Sequence, residues 1–245
     1  MRLIVLVVAL SSLLLAQGFV APPSHHVTTS PASRLSTSRL YAGSTITEAT
    51  TDAEFQRAAD FFCANFWAGG EKTVSPGVER QLAREQYRDM RVRYGEMVGA
   101  KKLKTALFLA KDSDGEIIGC AGLEVNVCRD KKFGLRFQDQ GDDTKLRPLL
   151  SNLVVFQGAR KQGLGKQLTA RCEKEARSWG YTEVLLLVDE ENKAARKLYQ
   201  KCGYRQLFRN TEGSRLDPFG RSVTNAPTTL LCLRKDLNNP FSWFF

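Results

Sequence analysis

Residues 150–166, LSNLVVFQGARKQGLGK, constrain the fold of this chain more than any other stretch. Residues 151–156 form an apolar, β-branched run of strand length. The basic turn Arg160-Lys161-Gln162-Gly163-Leu164-Gly165 follows at once. Leu164, Leu168, Cys172, Ala176 and Trp179 then recur every three or four residues, which predicts an amphipathic helix. Glycine at 163 and 165 lets a ligand approach the backbone closely. The first N–H groups of a helix lack intrahelical partners and carry partial positive charge. Such a turn can hold a phosphate or diphosphate; it can also be only a tight connection. Its spacing is neither the dinucleotide GxGxxG nor the P-loop.

A second segment, residues 183–204, EVLLLVDEENKAARKLYQKCGY, repeats the strand–helix arrangement. Its strand, 183–188, is followed by Asp189, Glu190 and Asn192 as N-cap candidates. Ala195, Leu198, Tyr199 and Cys202 share one helix face, and Gly203 is a C-cap candidate.

Arg160-x-x-Gly163-x-Gly165 resembles the acetyl-CoA-binding motif of the GNAT superfamily of N-acetyltransferases. Asn192-x-x-Ala195-x-x-Leu198-Tyr199-x-x-x-Gly203-Tyr204 is similar to the second signature of that family. The Leu-Ser-Asn-Leu-Val-Val stretch and Trp179-Gly180 are most similar to plastid GNATs of plants and algae. The resemblance implies an α/β (α+β) fold, a mixed, mostly antiparallel twisted sheet of about seven strands flanked by helices and splayed at the central strands. It implies acetyl-CoA as co-substrate and no metal. The backbone of Leu153, Val154 and Val155 would pair with pantetheine and polarise the thioester carbonyl. Arg160, Lys161, Gln162, Gly163, Leu164, Gly165 and Lys166 would hold the diphosphate. Asn192 would bond the pantetheine arm, and Tyr199 would be the general acid near the sulfur.

Each residue also has a plainer reading. Leu153–Val155 are core strand, Arg160 and Lys161 could be solvated charges, Asn192 an N-cap, and Tyr199 a core aromatic. The base is the weakest point. Glu124 lies on the strand face of Ile118, Cys120, Gly122 and Asn126, which turns either to a cleft or to solvent. It could act directly or through a water ordered by Ser151 and Asn152. His25 and His26 precede the domain.

The chemistry sets the demand. A free lysine amine has a pKa near 10.4, so it must lose a proton before it attacks. The thioester oxygen then needs hydrogen-bond donors, and the departing thiolate needs a proton.

Residues 1–18 read as a signal peptide with the apolar core LIVLVVALSSLLLA, and residues 19–43 as a plastid transit peptide rich in Ser, Thr and Arg. The alternative is a secretory signal followed by a linker. The formal charge is +10; the leader carries three arginines and no acid, leaving +7 for the rest. That balance suits a phosphate-bearing partner. Zinc-ligand spacing, an RNP-like segment and long Lys/Arg blocks are lacking, which argues against nucleic acid. No membrane contact is expected in the mature form. Cys63, Cys120, Cys128, Cys172, Cys202 and Cys232 lack CxxC spacing and read as core thiols in a reducing compartment.

The domain is expected over 44–237, with 238–245 as an aromatic tail. The expected order begins with a short strand, a helix from an Asp52 N-cap, and a helix from Ser75-Pro76. A hairpin over 104–110 and 116–127 and a polar loop over 129–147 lead to the central strand. Residues 205–209 and 228–234 read as strands, and 209–227 as loop. The acceptor is read as a protein lysine or N-terminal amine, with a small amine such as an arylalkylamine or polyamine, or a non-catalytic acyl-CoA-binding module, as alternatives. The loop 129–147 and the aromatic stretch 61–78 are expected to meet it. Oligomeric state is not legible.

Overall fold

A computed structural model describes residues 44–67, 74–95, 103–129, 132–133 and 145–238. The expected leader over 1–43, most of the polar loop and all but the first residue of the aromatic tail lie outside these residues. Strands and helices follow the expected order: β1 (Thr45–Glu48), α1 (Asp52–Phe66), α2 (Pro76–Tyr94), β2 (Thr105–Lys111), β3 (Ile117–Arg129), β4 (Lys132–Phe133) and β5 (Lys145–Val155). A 3-10 turn (Gln157–Ala159) leads to α3 (Leu164–Ser178), β6 (Glu183–Asp189), α4 (Lys193–Lys201), β7 (Arg205–Phe219) and β8 (Ser222–Asp236).

Seven strands run in the order β1-β2-β3-β5-β6-β8-β7, and the short β4 pairs with β3. All pairings are antiparallel except β5 with β6. The mixed sheet is that expected from the sequence. Its two faces bury separate cores. Leu123, Leu150, Leu153 and Val155 pack with Leu164, Leu168 and Tyr199 on the α3/α4 face. Leu107, Leu109, Cys120 and Val154 pack with Phe55, Phe62, Leu82 and Met90 on the α1/α2 face. Burying a side chain such as Phe62 stabilises by about 2–3 kcal/mol. All six cysteines are buried free thiols. Among the described residues no helix is long and apolar enough to cross a membrane.

Three readings of the sequence need correction. Residues 209–227 are not loop: β7 and β8 pair from Arg205 with Arg234 out to Phe219 with Ser222. The polar composition of this hairpin reflects exposure, which a periodicity argument mistakes for irregular chain. Its tip is tied to the start of α2, where the Ser75 amide donates to the Gly220 carbonyl at 2.7 Å. The central strand also starts earlier than expected, at Lys145, and takes in Pro148. That proline lies just outside the β5–β6 ladder, which contains only Leu149–Leu185 and Leu150–Leu186.

The cap of α1 is Thr51 rather than Asp52. Thr51 accepts from the Glu54 amide, and Glu54 accepts from the Thr51 amide, a capping box. Glu54 also pairs with Lys111 at 2.9 Å. Lys111 and the Thr50 and Thr51 amides draw its carboxyl from 4.5 down to about 2. The folded value lies below the unfolded one, so the contribution is present above about 4.5 and is lost as pH falls through about 2. Glu54→Gln is expected to lower stability at pH 7 by ~1 kcal/mol, a figure kept small because the pair is partly exposed. Thermal melts should show the gap to wild type closing as the pH is lowered toward 2.

Candidate functional site

β5 and β6 run side by side for two residue pairs and then separate. β5 stays paired with β3 as far as Val155, opposite Gly119. β6 stays paired with β8 as far as Asp189, opposite Leu230. The facing backbone of Ser151–Val155 and of Leu187–Asp189 is therefore without a ladder partner across the gap. Buried backbone donors and acceptors need partners, so this wedge can receive an extended chain bearing amides.

The separation begins at a bulge. Between Cys120 and Gly122 the register of β3 advances by two residues while β5 advances by three, from Val154 to Ser151. Asn152 takes a left-handed conformation there, with φ 51°. A bulge of this kind bends the strand and sharpens its twist, which turns β5 away from β6.

At the end of the wedge stands the glycine turn. Gly163 caps α3 with φ 88°, a backbone that favours glycine. The first intrahelical bond runs from the Gln167 amide to the Gly163 carbonyl. The amides of Leu164, Gly165 and Lys166 thus precede the helix ladder and present the positive end of its dipole. A cavity of about 320 Å3 opens beside Gly163 and Lys166, with Gln167, Ala170, Glu173, Cys202 and Lys235 completing its wall. Lys161, Gln162, Gly163 and Lys166 are exposed.

Arg160 has a structural duty that the sequence did not disclose. Its Nε donates to the Val155 carbonyl at 3.0 Å and its guanidinium reaches the Asn65 carbonyl at 3.4 Å. It joins the end of β5 to the last turn of α1. Burial lowers its pKa.

α4 closes the other side. A Cβ on Gly165 would lie 3.1 Å from Leu198 and 3.8 Å from Val155, so the turn, the strand end and α4 meet at one place. Asn192 is the α4 N-cap: its Oδ1 accepts from the Ala195 amide at 3.0 Å. Its Nδ2 is buried and has no partner among the described residues, so a donor is left over. Tyr199 is buried on the same helix, its ring edge-on to Tyr204 with centroids 5.8 Å apart. Burial, with Cys202 and Cys172 beside it, pushes its pKa up. It stays protonated through the physiological range.

Glu124 faces α2 rather than solvent. It is buried, and its Oε1 pairs with Arg93 at 2.5 Å. Arg93 is also bonded to Asp89 at 2.8 Å. The sequence reading missed this cluster, and with it Tyr94, whose hydroxyl meets Ser151 and Asn152. A signal was present: Val78, Leu82, Gln86, Met90 and Tyr94 recur every four residues. Among the described residues no group of acidic, Cys or His side chains could hold a metal ion.

β5, the glycine turn, β6 and α4 all lie within one stretch that matches a family model. Residues 78–204 match the model of the Acetyltransferase (GNAT) family. The chain belongs to the GNAT family. A relative in Arabidopsis thaliana, "GCN5-related N-acetyltransferase 7, chloroplastic", is 33% identical over 101 residues, 39% of this chain and 36% of that protein. The match thus spans about a third of the relative's length. Among solved structures, this GNAT chain resembles an acetyltransferase of GNAT family from Staphylococcus aureus Mu50, at TM-score 0.51 and 13% identity. That match covers 80% of this chain and all of the other. An N-acetyltransferase from the same source has TM-score 0.50 and 18% identity, with the same coverage. These likenesses concern the fold.

Proposed function

We propose that this GNAT protein, through its domain over 44–237, transfers acetyl from acetyl-CoA to a primary amine by direct attack on the thioester. The observation that carries the reading is the wedge between β5 and β6, whose facing backbone has no ladder partner across the gap and which ends at the α3 amides. The residues present suit acetyl-CoA as substrate. The backbone of Leu153, Val154 and Val155 bonds the pantetheine amides, and one of their N–H groups polarises the thioester carbonyl. The diphosphate rests on the amides of Gly163, Leu164, Gly165 and Lys166, with charge from Lys161 and Lys166 and with Gln162 and Arg160 shaping the turn. The spare Nδ2 of Asn192 donates to the pantetheine arm.

The amine nitrogen attacks the carbonyl carbon, the carbon–sulfur bond breaks, and the Tyr199 hydroxyl gives its proton to the departing thiolate. Glu124 is the proposed base, acting through a water. Its carboxylate is engaged by Arg93, which competes with any water for its oxygens.

The acceptor we favour is a protein amine, a lysine side chain or N-terminus. β7 is the terminal strand of the sheet, and its hairpin reaches α2 through Gly220, a track that an extended segment can follow. A small aromatic amine is the second reading. Phe62, Phe66 and Trp67 form a stacked and edge-on cluster at the end of α1, with centroids 4.9–5.7 Å apart, close to Asn65 and its bond to Arg160. We place the mature protein in the plastid stroma, on the composition of residues 1–43 and the chloroplastic name of the relative; the secretory pathway is the alternative.

Purified protein lacking residues 1–43 should acetylate plastid proteins in the presence of labelled acetyl-CoA, with modified lysines or N-termini read by mass spectrometry. Turnover of an arylalkylamine or polyamine with no modified protein would select the second reading. Binding of acetyl-CoA with no transfer to any amine would leave an acyl-CoA sensor.

A further inference from the structure

The bulge in β5 needs something to hold it. A non-glycine residue in the left-handed region costs about 1 kcal/mol or more, and asparagine tolerates it best. Left to itself residue 152 would favour extended backbone, which removes the extra residue. A slip of one residue would also turn the side chains beyond it to the opposite face. Leu153 and Val155 would then leave the α3/α4 core, and Val154 would leave the α1/α2 core, to which they now belong.

The side chain that meets this bulge comes from α2. The Asn152 Nδ2 donates to the Tyr94 hydroxyl at 3.0 Å. The Tyr94 hydroxyl and Ser151 Oγ are 2.8 Å apart. A phenol has one proton and can also accept, so Tyr94 can take the Asn152 bond and donate to Ser151 at once. All three residues are buried, between 5% and 8% exposed. Gly122, on the β3 side of the register shift, makes the room: a Cβ there would lie 2.1 Å from the Tyr94 hydroxyl. The preceding residue, Arg93, is fixed to β3 through Glu124. The last turn of α2 therefore grips β3 with one side chain and β5 with the next, where β5 departs from β6.

We infer that Tyr94 is a positioning residue for acetyl-CoA binding: its hydroxyl holds Asn152 left-handed and so keeps the wedge open. Acetyl-CoA binding itself rests on the function proposed above. The phenol touches no reacting atom. It acts through the backbone of residues 152–155, which the bulge orients.

Calorimetric titration with coenzyme A tests this. Tyr94→Phe keeps the ring and removes the hydroxyl, leaving Asn152 and Ser151 without that partner. Its Kd for coenzyme A is expected to rise about tenfold or more, equivalent to the loss of one buried hydrogen bond. Asn152→Gly needs no support at positive φ and serves as the rescue substitution. Added to Tyr94→Phe it should restore most of the affinity, which a general loss of packing would not allow. Unchanged binding by Tyr94→Phe, or no rescue by glycine, overturns the inference. If Tyr94→Phe does not fold, Asn152→Val against Asn152→Gly reads the same point. Valine cannot hold the left-handed backbone and should bind about tenfold more weakly; equal affinities overturn the inference. Wild type that fails to bind coenzyme A would instead sink the proposed function.

Discussion

Tyr199→Phe is expected to lower kcat for amine acetylation about 100-fold, the scale of a lost general acid, while the KM for acetyl-CoA moves by no more than about twofold. The phenol is buried and protonated, and its ring belongs to the α3/α4 core. Phenylalanine preserves that packing and removes only the hydroxyl. The thiolate of coenzyme A would then leave unprotonated from a low-dielectric site, where a developing anion is costly. A series of acyl donors sharpens the test. A thioester with a better leaving group should narrow the deficit, because it needs less help at sulfur. A variant that keeps wild-type kcat would remove Tyr199 from the chemistry and return it to the core as an ordinary aromatic.

Arg93→Met should cost about 3–5 kcal/mol of folding stability, the range for removing one partner of a buried ion pair. Arg93 lies between Asp89 and Glu124, at 2.8 and 2.5 Å, and all three side chains are about nine-tenths buried. Methionine fills the stem but leaves two carboxylates without their cation. Burial already raises the pKa of Asp89 in the wild type, against the pull of Arg93. Without the guanidinium the Asp89 carboxyl rises further above its unfolded value, because the charge that opposed the effect of burial is gone. A raised acid pKa makes folding more favourable as pH falls, because protonation removes the buried charge. Melts from pH 8 down to pH 5 should therefore show the variant closing on wild type; a gap independent of pH would mean that the carboxylates find other partners.

The strand–turn–helix at residues 150–166 and the Asn192–Tyr199 helix were legible because their signals are local. Apolar periodicity, a glycine that must adopt φ 88° and an N-cap asparagine are written within a few residues. Family resemblance then supplied the roles. What escaped was long-range. Nothing near Arg160 says that its guanidinium ends on carbonyls of Val155 and Asn65. Glu124 was placed on the right strand face, but alternation cannot tell a cleft from a buried ion pair. Its partner lies 31 residues away in the sequence. The outer part of the β7–β8 hairpin, over 209–227, was lost for a different reason. In that part residues 209–212 of β7 and 222–227 of β8 are exposed or half-buried, and exposed strands lack the alternation that marks a half-buried one. Tyr94 sat on a visible four-residue stripe, yet only the register shift opposite Gly122 reveals what its hydroxyl holds.

A crystal structure with coenzyme A bound is the most direct measurement of the central claim. The pantetheine should lie along Leu153–Val155 as an added strand in the β5–β6 gap, its diphosphate on the amides that open α3 and one of its carbonyls on Asn192. Coenzyme A bound elsewhere, or β5 and β6 paired continuously past Leu150 and Leu186, would contradict it.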